Sequence, residues 1–334
     1  MFFFIAVLTA SCNNKGKDID LSKIRLDLQI QRFDQEMGEL TPGNLSEKAP
    51  LLHRKYGAFY EDYMDKMLNA GSTKDTAYYQ NLRVVLTHPD YKALKSEVDA
   101  TFPDLKRYNE ELTEAFKRVK YYFPEQKIPR LVSFLSGFAV QVPIGNDYIG
   151  IGLDMFLGAD SRFYPALRES IPQYLSRRFT PQNITPRVIE TFVREGMFPE
   201  RDSDKAFVDR MIYNGKIMYF MKALLPEVPD SVIIGYTAAQ QKWSENFESG
   251  TWGFFLQHDL LYETDYMKIQ KFLSEAPFTP GIGNGNESAP KLGVFTGWQI
   301  VKKYMARNPD ISIPQLMKNT DYQEILKQSH YKPK

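Results

Sequence analysis

The chain has one cysteine, Cys12, and four histidines, His53, His88, His258 and His330. A lone cysteine excludes an intramolecular disulfide. No two of the histidines lie within one helical turn, and this excludes a local zinc motif. Catalytic zinc takes about three protein ligands and is often gripped by an i, i+4 histidine pair. Nucleophile and phosphate signatures are missing too: there is no Gly-x-Ser-x-Gly elbow and no P-loop. Gly281-Ile282-Gly283-Asn284-Gly285 is glycine-rich, yet it follows no strand pattern and lacks a Lys-Ser/Thr ending. Charge of one sign is also lacking. Lys plus Arg number 42 against 41 for Asp plus Glu, a net charge of +1, so no broad field favours nucleic acid. After Leu8 no apolar run approaches the about 20 residues of a membrane-spanning helix. These absences lead us to expect no metal, no cofactor, no catalytic residue and no nucleic-acid partner.

What is present begins at the N-terminus. Phe2 to Leu8 is apolar, and Thr9-Ala10-Ser11 supplies small side chains directly before Cys12. An apolar core followed by small residues marks a secretory signal, and a cysteine at the cleavage point resembles a bacterial lipobox. Residues 1–11 are therefore expected to be a lipoprotein signal peptide, with Cys12 the lipid attachment site and membrane anchor. Residues 12–22 read as a polar tether, and 23–334 as a single domain. No acidic residue follows Cys12 immediately, and the sequence's resemblance to bacterial lipoproteins whose surface export uses an acidic stretch there implies a periplasm-facing body in the cell envelope.

Hydrophobic residues at 43% and charged residues at 25% suit a packed core. Ile24, Leu26, Leu28 and Ile30 alternate with polar residues and predict a half-buried strand. Asp104 to Phe123 shows helical spacing, with Pro103 before it and Pro124 ending it. Leu131–Phe138 and Tyr148–Phe156 are apolar runs around Gly145-Asn146-Asp147, and the spacing predicts an antiparallel hairpin. Thr185 as cap and Pro186 at the first helical position predict a helix whose stripe is Val188, Ile189, Phe192, Val193 and Met197. A second long helix is expected from Asp204 to Leu225. Capping boxes pair Thr237 with Gln240, Ser312 with Gln315 and Asp321 with Glu324. Ala276–Pro290, rich in proline and glycine, reads as a long irregular loop, either lid or connector. The expected class is α+β and predominantly helical, with a small antiparallel sheet packed against helices.

Trp243, Phe247, Trp252, Phe254 and Phe255 cluster within one stretch. They read first as helical core and second as a contact surface, with Trp243 and Trp252 meeting a protein or glycan. Carboxylate pairs such as Glu190 with Glu195 are too common to assign acid-base roles.

The lipoprotein start, Leu131-Val132-Ser133-Phe134, Ile149-Gly150-Ile151-Gly152-Leu153-Asp154, Gly297-Trp298-Gln299-Ile300-Val301 and Ser329-His330-Tyr331-Lys332-Pro333 occur in this order. Together they resemble the gliding-motility lipoprotein GldB family over most of the chain. That resemblance implies a lipid-anchored envelope protein in gliding motility or the linked secretion machinery, with motility or secretion proteins as partners. The family in turn looks similar to zincin-like peptidases, which implies a pseudo-metallopeptidase architecture. On that alignment Ile189, Glu190 and Val193 stand on the metal-binding helix and Asn214 at the third ligand position. Only Glu190 retains its chemistry, and these four residues mark a relic cleft. The alternatives are an envelope peptidase-like hydrolase, or a binding module for peptidoglycan or exported protein.

Overall fold

The structure, a computed structural model, describes residues 19–334. The signal segment, Cys12 and most of the expected tether lie outside the described residues. Three short strands, β1 (Gln31–Arg32), β2 (Arg130–Phe134) and β3 (Tyr148–Gly152), form one sheet in the order β1-β2-β3. The principal helices are α1 (Leu45–Tyr56), α2 (Lys106–Tyr122), α3 (Ile184–Thr191), α4 (Phe207–Leu224), α5 (Ala238–Asn246), α6 (Glu248–Gln257), α7 (Leu292–Arg307) and α8 (Tyr322–Ser329). The predominantly helical class is thus correct.

The antiparallel sheet is not. Both strand pairings are parallel, with Arg130 opposite Tyr148 and Gln31 opposite Val132. The expected turn at Gly145-Asn146-Asp147 exists, but it joins β3 to residues 141–145 on the far edge. There Ile144 bridges Ile149, and Gly150 and Gly152 donate their amides to Pro143 O (2.8 Å) and Gln141 O (2.9 Å). Pro143 has no amide to donate, so this edge cannot become a regular strand. The dozen or so residues after β2 therefore first cross over, as a parallel pair requires, and only then turn back. Gly145 is needed for space, since a Cβ would lie 2.2 Å from the Tyr148 ring.

Residues 24–30 alternate in burial as their pattern predicts, yet they form no strand. Their backbone is satisfied by side chains of α2 instead: Leu28 N donates to Thr113 Oγ1 and Ile30 N to Asn109 Oδ1, both at 3.0 Å. Burial alternation reports an extended chain, and the pairing partner here is a helix.

The sheet separates two cores. Val132, Phe134 and Tyr148 face an aromatic cluster built on Phe33, Tyr56, Phe59, Tyr60 and Tyr63. Its rings meet edge to face, as in Phe33–Tyr56 at 4.9 Å and Phe59–Tyr148 at 5.0 Å. Each such pair adds about 0.5–1.5 kcal/mol beyond area burial. Leu131, Leu135, Ile149 and Ile151 face the larger core, which α2, α3, α4 and α7 fill with aliphatic and aromatic side chains.

At its centre α4 crosses α7 backbone to backbone. A Cβ on Gly215 would lie 2.2 Å from Gly297 O, and one on Gly297 would lie 1.8 Å from Met211 O. Gly215 follows Asn214, so this crossing fixes the height at which Asn214 meets α3. Helix α3 starts a residue before the expected cap, and Thr185 donates instead to Glu111 Oε2 at 2.5 Å. It continues into a π turn, Phe192–Met197, where Phe198 N reaches Val193 O. Such wide turns are rare and concentrate at functional sites. The boxes at Thr237 and Ser312 form in full, whereas Asp321 caps without the reciprocal Glu324 contact.

Candidate functional site

Helix α3 sorts its side chains onto two faces. Ile189 and Val193, four residues apart, are fully buried in the larger core. Glu190 turns from that stripe into a polar chamber, between Arg187 one turn before and Arg194 one turn after. Arg187 Nη1 donates to Glu190 Oε2 at 2.6 Å, and Arg194 Nε donates to Glu190 Oε1 at 2.9 Å. Both carboxylate oxygens are engaged by guanidinium groups. Arg194 Nη1 also donates to Asn214 Oδ1 at 3.0 Å, while Asn214 Nδ2 donates to Arg210 O at 2.8 Å. The amide of Asn214 is thereby oriented with its oxygen toward Arg194. Glu190 and Asn214 thus come together through Arg194, whereas Ile189 and Val193 point away from them.

This geometry gives the zincin-like alignment no support. The two positions that imidazoles would occupy face packed hydrocarbon, and the sheet before them is parallel. Among the described residues no three His, Cys, Asp or Glu side chains converge as a metal site.

A second charged group faces the first. Glu275 Oε1 accepts from Arg178 Nη1 at 2.8 Å and from Lys291 Nζ at 2.5 Å, and Lys291 Nζ also donates to Ile234 O at 2.6 Å. Lys291 precedes α7 with φ at +52°, a conformation that costs a side-chain-bearing residue about 1–3 kcal/mol unless its surroundings hold it. Its two Nζ contacts supply that hold. A cavity of about 230 Å³ lies between the groups, lined by Glu190, Arg187, Arg194, Asn214, Glu275 and Lys291 with Met218, Ile234, Leu273 and Val294. A neighbouring cavity of about 220 Å³ shares Arg187 and Glu275 and adds Arg178 and Gln141.

The electrostatics follow from the charge count. Burial pushes the Glu190 carboxyl up, but Arg187, Arg194, Arg178 and Lys291 outweigh burial and hold it well below the usual carboxylate range. Glu275 is lowered in the same way against its burial by Lys291 and Arg178. Lys291 is pushed down to about 8 by burial, with Glu275 opposing. A carboxylate so stabilised, with both oxygens occupied, is a poor proton acceptor at neutral pH.

A third concavity, about 400 Å³, lies beside α5 and α6 and is lined by Trp243, Phe247, Gly250, Gly253, Phe254 and Gly283 among others. Trp243 stacks on Phe247 with centroids 4.6 Å apart, and a Cβ on Gly283 would lie 2.8 Å from its ring. Trp243 thus touches both Phe247 and Gly283 and is half-buried, and the more open ring is Phe247, 49% exposed. Trp252 is elsewhere, packed edge-on against Tyr331 at 5.2 Å. The two tryptophans that the sequence groups together therefore do not share a surface. Phe255 belongs to the core, against Phe207 and Phe272.

One loop serves both places. Glu275 and Lys291 flank residues 276–290 and close their neck in the chamber, while Gly281, Ile282 and Gly283 at the tip line the aromatic groove. Thr279 and Ser288 stitch the neck, with Thr279 Oγ1 donating to Ala289 O at 2.7 Å and Ser288 Oγ to Thr279 O at 2.9 Å. This is an Ω-type loop packed by its own side chains.

Sequence reasoning missed Arg178, Arg187, Arg194, Glu275 and Lys291. The Arg187, Glu190, Arg194 spacing was a usable signal, since i−3 and i+4 partners share a helix face. Nothing local marks the other three. No helix among the described residues is long and apolar enough to cross a membrane. No curated protein and no solved structure matches the chain. A family model described as gliding motility protein GldB matches residues 14–333, nearly the whole length, and the chain belongs to that gliding-motility family.

Proposed function

We propose that this protein is a non-catalytic component of the cell envelope, anchored through lipidated Cys12 with its body facing the periplasm. In this reading it serves gliding motility, or the secretion machinery linked to it, by holding partner proteins. Family membership supports the motility role, and the apolar run ending in Thr9-Ala10-Ser11-Cys12 supports the anchor. The observation that carries the non-catalytic part is the state of Glu190. Its two oxygens are tied to Arg187 and Arg194, and its helical neighbours Ile189 and Val193 are core residues that cannot ligate an ion.

Complementation of a deletion strain tests this. The unmodified gene and Glu190→Gln, if it folds, are expected to restore spreading, while Cys12→Ala is expected to leave the protein in the soluble fraction and fail. A chelator-sensitive hydrolytic activity in purified protein, abolished by Glu190→Gln along with spreading, would overturn the reading in favour of an envelope peptidase.

The groove beside Phe247 favours a second reading, a binding module for peptidoglycan or exported chains. Its about 400 Å³ falls within the usual about 300–1,000 Å³ for ligand pockets, with an aromatic face open to a ring or side chain. Phe247→Ala should weaken binding of such envelope material, and unchanged affinity for wall fragments and exported peptides alike would remove this reading.

A further inference from the structure

The chamber holds more positive than negative charge. Arg178, Arg187, Arg194 and Lys291 line the paired cavities against two carboxylates, Glu190 and Glu275. Each carboxylate is already bonded to two of the cations and two positive charges remain over, while Glu275 bonds through Oε1 alone and its buried Oε2 has no partner among the described residues. The donors are not all spent. Arg187 commits Nε to Gln141 and Nη1 to Glu190, which leaves Nη2, and the buried Nε of Arg178 has no partner among the described residues. Arg178 is only 12% exposed, so water offers its guanidinium little compensation. A buried N–H without a partner is costly, and a forked guanidinium matches the paired oxygens of a carboxylate or phosphate.

We propose that the cavity between Arg178 and Arg187 binds a small oxyanion, either a carboxylate or a phosphate group. At about 220 Å³ it sits below the usual about 300–1,000 Å³ for drug-sized ligands, so it suits a small anion or the charged end of a longer molecule. Met155, Leu175 and Phe179 line the same space and keep its dielectric low, which strengthens each charged contact. Gln141, held by Arg187 and donating to Met155 O, fixes the position of the Arg187 fork. The inference deepens the non-catalytic reading by naming what the chamber holds. It is tested without cells, so its failure is separate from failure of the motility assignment.

The experiment is calorimetric titration of the purified mature protein with inorganic phosphate and, separately, with N-acetylglycine at matched ionic strength. At least one probe should bind saturably. Response to phosphate alone assigns a phosphorylated ligand, and response to N-acetylglycine alone assigns a free carboxylate; either supports the site. Arg178→Gln and Arg187→Gln should each weaken binding about ten-fold or more, a loss of one charged hydrogen-bonding partner. Arg187, the more exposed of the two, carries the test should the Arg178 variant fail to fold. Surface Arg162→Gln should change nothing, whereas Glu275→Gln should tighten binding severalfold by removing a negative charge from the lining. No saturable binding of either probe overturns the proposal. So does binding indifferent to the arginine substitutions, or binding that Glu275→Gln leaves unchanged or weakens.

Discussion

In the chamber around Glu190, four cations and two carboxylates hold one another in place, and removing any of them strands its partners. In the groove beside Trp243, stacked rings and bare glycine backbone leave space that depends on no single partner. The loop of residues 276–290 spans both, ion-paired at its neck and glycine-lined at its tip. The difference concerns where specificity resides. A buried ionic network contributes little net stability over a hydrophobic substitute, but it is unforgiving of partial removal. An apolar groove tolerates truncation and loses only contact area.

The largest expected effect follows from breaking the network halfway. Arg194→Met leaves Glu190 with one guanidinium and Asn214 Oδ1 with none, and should cost about 3–5 kcal/mol in urea unfolding. A cost below about 1 kcal/mol would mean that the network is loosely held.

Next is the acid limb of the stability curve. Glu190 and Glu275 have folded-state values below their ordinary ones, so each contributes stability that is present above the unfolded value near 4.5. That contribution is lost as pH falls through the lower folded value. Lys291 has the opposite sense. Its folded value is lowered to about 8 from 10.5, so the unfolded chain binds more protons between those values and stability rises with pH there. Buried Lys216, also lowered to about 8, adds a parallel rise. Glu190→Gln should flatten the acid limb and leave the alkaline rise, while Lys291→Met should reduce the rise; urea midpoints across pH measure both.

The groove should respond less. Gly283→Ala places a Cβ 2.8 Å from the Trp243 ring at φ +82°, so it should cost about 1–3 kcal/mol and shift the tryptophan emission. Phe247→Ala removes a half-exposed ring and should cost about 1 kcal/mol or less, by the same unfolding measurement. If it cost as much as Arg194→Met, the contrast between the two regions would be void.

Much of the helical frame was legible because helical periodicity is local. Helix α2, α4 and the irregular loop at 276–290 stand close to where pattern and punctuation place them. Strand pairing was not legible in that way. The turn at Gly145 is real, but a tight turn states which segments adjoin it and not which strand lies on the other edge. Residues 24–30 show the same limit, since alternation cannot distinguish a neighbouring strand from Thr113 and Asn109 on a helix. At the site, Glu190 and Asn214 were singled out on an alignment that the fold does not support, and they meet for a different reason. Arg194 bridges them, and the Gly215–Gly297 crossing sets the height. Glu275 and Lys291 are far from α3 along the chain, and Arg178 precedes it across the turn Pro181–Asn183, so no helical spacing rule links any of the three to Glu190.

The most direct test is a carboxyl carbon NMR titration of the purified glutamate-labelled protein, with Glu190→Gln identifying the Glu190 signal. The expected result is a carboxylate that stays ionised from neutral pH to well below 4.5, held by Arg187 and Arg194. Titration at or above 4.5 would show a carboxyl free to exchange protons, and would contradict the proposed locked, non-catalytic chamber.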